Sequence, residues 1–148
     1  FYVAALARGG IAPRPGVKEL VAQARQQGLA LAIATTTTPA NVEGLVQAIW
    51  GLPAAKVFDV LAAGDEVVTK KPAPDVYQLA LQRLGLTADQ AIAFEDSRNG
   101  LVSAKAAGLR VVLTPGIYTQ GDDFAEADWL LPDLTHFDLS AQLAGTVA

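Results

Sequence analysis

Ala91-Ile-Ala-Phe-Glu95-Asp96-Ser97-Arg98-Asn99-Gly100 runs an apolar stretch straight into two carboxylates and then into residues that open a helix. Residues 91–94 read as a buried strand, and residues 99–107 carry helical spacing of apolar positions, with Gly108 standing where a left-handed cap is wanted. A strand that presents polar groups at its carboxyl end and hands over to a helix is the repeating unit of a parallel α/β sheet, whose ligands bind beyond the strand ends. The same rhythm extends in both directions. Residues 29–34, 57–62, 110–113 and 129–131 read as further short strands, and 17–27, 40–50 and 75–84 as helices, with Gly28 and Gly85 as two more caps. The expectation is a Rossmann-like α/β fold: a parallel sheet of five strands with helices on both faces.

At 148 residues and 51% hydrophobic, the chain can bury the core of one compact domain. Its net charge of −4 and lack of any Lys/Arg-rich run argue against general nucleic-acid binding and against an acidic lipid surface. The absence of cysteine excludes disulfides, zinc-thiolate centres and cysteine nucleophiles. No apolar run is long enough for a membrane helix, and the apolar opening lacks the basic flank of a signal peptide. A cytoplasmic monomer is the default. His136, late in the chain beside Phe137, reads as a surface or structural residue.

Three clusters carry candidate chemistry. Thr35, Thr36, Thr37 and Thr38 follow a strand, and Pro39 suits a first helical turn, which makes Thr38 the expected N-cap. Hydroxyls and backbone N–H groups at such a helix start can hold a phosphate, or can simply end a strand and cap a helix. Lys71 precedes Pro72, which keeps it out of helical geometry, and Asp75 lies at the start of the next helix. An ammonium there can neutralise a phosphoryl oxygen and an approaching anion; a solvated surface charge is the plain alternative. Glu95 and Asp96 would repel one another unless a cation lies between or beside them, and few oxygen ligands suit a magnesium ion bridged to phosphate. Alternatively Asp96 or Ser97 caps the following helix.

Taken in order, Thr35, Lys71-Pro72 and Glu95-Asp96-Ser97 with Gly100 resemble the second, third and fourth motifs of the haloacid dehalogenase-like hydrolases. Ala63-Gly-Asp65, Lys70-Lys-Pro-Ala-Pro-Asp-Val-Tyr77 and Thr114-Pro-Gly-Ile-Tyr-Thr119 are similar to the CbbY branch, close to β-phosphoglucomutase. The resemblance implies a magnesium-dependent phosphatase of sugar phosphates or bisphosphates, xylulose 1,5-bisphosphate in the CbbY case. Carried onto this chain, Thr35 would bind the transferring phosphoryl group and Lys71 would brace it. Thr36, Thr37 and Thr38 would meet phosphate oxygens, and Glu95 with Asp96 would hold Mg2+. The partner implied is a small sugar phosphate, without nucleic acid or membrane.

The family's first motif, an apolar strand ending in Asp-x-Asp, has no counterpart, because none of the ten aspartates has another two residues away. Residues 1–12 are therefore expected to be the end of a helical cap and its hinge. Residues 13–148 are expected to form an incomplete core that lacks the first central strand. Such a core would expose two strand edges, be marginally stable and, without a nucleophile, be inactive. A β-phosphoglucomutase-like phosphomutase shares every motif present, and a non-catalytic phosphometabolite-binding module is the reading from another class.

Overall fold

A computed structural model describes residues 2–4, 15–116 and 121–143. Six parallel strands form one sheet in the order β3-β2-β1-β4-β5-β6, with β1 at Tyr2–Ala4, β2 at Ala32–Ala34, β3 at Val60–Ala62, β4 at Ile92–Glu95, β5 at Arg110–Leu113 and β6 at Trp129–Leu130. The helices are α1 (Val17–Gln26), α2 (Pro39–Trp50), α3 (Ala54–Val57), α4 (Asp75–Leu84), α5 (Arg98–Ala106) and α6 (Leu139–Leu143).

Alternation along the strands divides the core into two layers. Ile33, Ile92, Phe94 and Val112 face one side and pack with Leu20 and Ala24 of α1, Val42 and Val46 of α2, and Leu139 of α6. Ala32, Ala34, Ala93, Val111 and Leu113 face the other, against Val76, Tyr77 and Ala80 of α4 and Leu101 and Ala104 of α5. Nearly every strand residue is apolar because both faces are covered. The alanines on the second face let α4 and α5 lie close to the sheet.

The parallel α/β arrangement agrees with the sequence reading, but three parts of it need correction. Residues 29–34 shorten to a strand at Ala32–Ala34: Leu29 N–H bonds back to Ala24 O, and Leu31 is tied to Asp59 through both its N–H and its carbonyl. Within 57–62, Val57 ends helix α3, which Pro53 introduces, so the strand begins only at Val60.

The third correction is the largest. Tyr2–Ala4 is a strand rather than the end of a helix, and it occupies the central slot, pairing with β2 at Ala4↔Ile33 and with β4 at Tyr2↔Ile92, Val3↔Ala93 and Ala4↔Phe94. The expected pair of open edges is absent from the described sheet. An empty slot would leave N–H and C=O groups of two buried strands without partners, and any short extended segment that satisfies them is favoured. The hinge expected at the end of residues 1–12 lies outside the described residues, as do Ile117 to Gln120. Among the described residues, no helix is long and apolar enough to cross a membrane.

Candidate active site

Each cluster of polar residues stands just beyond the carboxyl end of a strand. Thr35 leaves β2 with its N–H bonded to Ala62 O of neighbouring β3 at 3.0 Å, and Thr114 leaves β5 with its N–H on Glu95 O of β4 at 2.9 Å. Gly116 N–H reaches Asp96 O at 3.2 Å. The strand ends are thus stitched to one another, and the loops that follow share one rim.

On that rim the threonines form a tight turn into α2. Thr37 N–H donates to Thr35 Oγ1 at 3.2 Å, Thr38 Oγ1 accepts from Asn41 N–H at 3.3 Å, and Thr37 Oγ1 accepts from Asn41 Nδ2 at 2.9 Å. Thr38 is the N-cap and Pro39 the first helical residue, as their order in the sequence implies. The loop after β3 lies directly against this turn. At Gly64 a Cβ would stand 2.6 Å from Thr36 O, so only glycine allows the approach.

Lys71 and Glu95 meet in the interior of the rim. The Lys71 ammonium donates to Glu95 Oε1 and, at 3.1 Å, to Ala34 O at the end of β2. Both side chains are largely buried, at 10% and 4% exposure, so the pair is weakly screened. Tyr77 of α4, fully buried, donates its hydroxyl to the same Oε1, and its ring lies 4.8 Å beneath the Lys71 ammonium. Burial, and next the charge of Glu95, hold the Tyr77 phenol well above its ordinary range, so it remains a donor across working pH. Glu95 leans over the first turn of α5, where a Cβ on Gly100 would stand 1.8 Å from its Oε2.

Asp96 follows, half-buried, and Ser97 rather than Asp96 is the N-cap of α5, its Oγ accepting from Gly100 N–H at 3.2 Å. Thr35, Lys71, Glu95 and Asp96 are therefore brought to one rim, and Thr36 to Thr38 line its edge. Tyr77 belongs to this cluster although the sequence does not single it out. It lies within the Lys70–Tyr77 stretch, but an aromatic on a helix face gives no sequence-level sign that its hydroxyl reaches a carboxylate on another element. His136 is exposed, on the segment leading into α6.

Residues 2–114 match the haloacid dehalogenase-like hydrolase family. The chain belongs to the haloacid dehalogenase-like hydrolases. It is 60% identical over 134 residues to protein CbbY of Rhodobacter capsulatus, a match covering 90% of this chain and 59% of that protein. With protein CbbY of Cereibacter sphaeroides it shares 50% over 149 residues, covering 97% and 65%. A crystal structure of a mutant CbbY from Rhodobacter sphaeroides in complex with xylulose-(1,5)bisphosphate aligns with a TM-score of 0.84 at 51% identity, over 87% of this chain and 57% of that one. The chain spans less than two thirds of the length of each of these relatives.

Haloacid dehalogenase-like phosphatases generally use Mg2+, and the residues of this rim can be tested against that ion. Among the described residues no group of three acidic or histidine side chains gathers. Glu95 and Asp96 are adjacent carboxylates at one strand end, which is the usual protein share for magnesium held jointly with water and substrate phosphate. Glu95 Oε1 is already taken by Lys71 and Tyr77, so Oε2 is the oxygen of Glu95 that fits such an ion.

Proposed function

We propose that this chain supplies the phosphate-binding and acidic parts of a magnesium-dependent sugar-phosphate phosphatase that acts on a sugar bisphosphate such as xylulose 1,5-bisphosphate. The observation that carries the reading is the convergence of Thr35, Lys71, Glu95 and Asp96 on one rim of the sheet. It is supported by likeness to a CbbY whose crystal structure holds xylulose-(1,5)bisphosphate.

In this reading Thr35 and the α2 turn receive the phosphoryl group, with Thr36, Thr37 and Thr38 offering hydroxyls and the helix N-terminus favouring negative charge. Lys71 neutralises phosphoryl oxygens and stays in place through its bonds to Ala34 and Glu95. Glu95 and Asp96 would hold Mg2+, which when bound offsets the negative charge of the phosphate. Asp96→Asn should then lower magnesium affinity, which isothermal titration with magnesium would measure. The attacking carboxylate is not assigned to any residue of this chain, so the chain by itself is inactive.

The test is magnesium-dependent phosphate release from xylulose 1,5-bisphosphate and from an aryl phosphate, by this 148-residue chain and by a version extended at its N-terminus. Release by the extended version alone is expected. Release by the short chain would place an attacking group within it, and release by neither would overturn the phosphatase reading.

A further inference from the structure

Glu95 is held from three directions. The Lys71 ammonium and the Tyr77 hydroxyl both donate to its Oε1, and the bare Cα of Gly100 makes room for its Oε2. Tyr77 is 0% exposed, so its hydroxyl has no water to turn to, and its position is set by the packing of α4 on the alanine face of the sheet. The Tyr77 ring also lies under the Lys71 ammonium, which makes its other bond to Ala34 O. A lysine side chain ordinarily has much rotamer freedom, and ordering it upon ligand binding reduces affinity. Here that freedom is removed before any ligand arrives.

We propose that Tyr77 is a positioning residue for Lys71: its hydroxyl fixes Glu95, its ring supports the ammonium, and together they set the lysine at the rim ready for phosphate. The inference rests on the reading of Lys71 as the phosphate-binding cation given above. Tyr77 touches no substrate and acts only through Lys71 and Glu95. Gly100 belongs to the same device, because a side chain there would push the carboxylate off its seat and break the arrangement from the opposite side.

The test uses inorganic phosphate as the probe, titrated calorimetrically into the full chain, alongside the ¹⁵N signal of the Lys71 ammonium. Tyr77→Phe keeps the ring and removes the hydroxyl. It should weaken phosphate binding about three- to tenfold, the size of one lost hydrogen bond. The same substitution added to Lys71→Ala should cost nothing further, since a residue acting through Lys71 has no effect once Lys71 is gone. The Lys71 ammonium signal, sharp while its protons are held, should broaden or vanish in Tyr77→Phe. Gly100→Ala, which favours helix formation in α5, should produce the same two changes with the hydroxyl intact. Additive losses in the double variant together with an unchanged ammonium signal would overturn the proposal. If Lys71→Ala binds phosphate as well as the parent, the phosphate role of Lys71 fails, and the ammonium signal alone then decides whether Tyr77 positions it.

Discussion

Among single residues, the buried Lys71–Glu95 pair has the sharpest consequences. Removing one partner of such a pair leaves an uncompensated charge in a poorly solvated place, commonly at a cost of about 3–5 kcal/mol. Glu95→Gln keeps the shape and an acceptor for Tyr77 while stripping the countercharge from Lys71, and it should lower the unfolding free energy by about that amount. Urea denaturation measures the change; a loss under about 1 kcal/mol, the size of an exposed pair, would show the pair to be effectively solvated. Glu95, Asp96 and Lys71 were all legible in the sequence as residues of the rim, because each stands beside a strand end or a proline that fixes its place. What the sequence did not convey was their mutual arrangement. Glu95 reads as a magnesium ligand from its neighbour Asp96, yet one of its oxygens faces Lys71 and Tyr77, a contact between three elements that no local pattern encodes.

Between elements, the loop that joins β3 to α4 is secured by Arg83. Its guanidinium donates to both oxygens of Glu66, at 3.1 and 2.9 Å, and also to Leu61 O, while Glu66 accepts from Ala63 N–H at 2.8 Å. Arg83, and after it the Ala63 N–H, lower the Glu66 pKa below its ordinary 4.5. A carboxylate depressed on folding adds stability above its unfolded pKa and loses it as pH falls through the folded value. Wild type should therefore exceed Glu66→Gln in stability at neutral pH by less than about 1 kcal/mol, since the pair is partly solvated, and the gap should close below about pH 4.5. Thermal melts of both proteins between neutral and acid pH would check it; a gap that persists in acid would assign the effect to side-chain packing. The elements themselves were largely readable. Helices α1, α2, α4 and α5 fall within a residue of their expected bounds, since glycine caps and N-terminal Ser, Thr, Pro or Asp mark their ends. The errors at β2 and β3 arose where the Leu29 and Asp59 backbone bonds and the Pro53 turn take residues that are apolar but not in the ladder.

For the molecule as a whole, the decisive feature is the one the sequence hid. Tyr2–Ala4 joins the halves of the sheet by pairing on both sides, although its neighbours Ala5 to Arg8 continue an alanine- and leucine-rich pattern that reads as helix. Local propensity gave way to a tertiary demand: β2 and β4 are buried strands, and without a segment between them their facing amides would lack partners. Whether the two halves of the sheet act as one cooperative unit therefore depends on three residues. Val3, paired with Ala93, is flanked on both sides, so proline at this position deletes a ladder N–H and leaves a buried carbonyl unmet. Val3→Pro should lower the stability by about 1–3 kcal/mol and increase hydrogen exchange at the amides of Ala34 and Phe94, which face β1, while distant β6 keeps its protection. An unchanged urea midpoint with unchanged exchange at those two amides would mean that Tyr2–Ala4 does not bear on the sheet, and the central slot would then have to be closed by direct approach of β2 to β4.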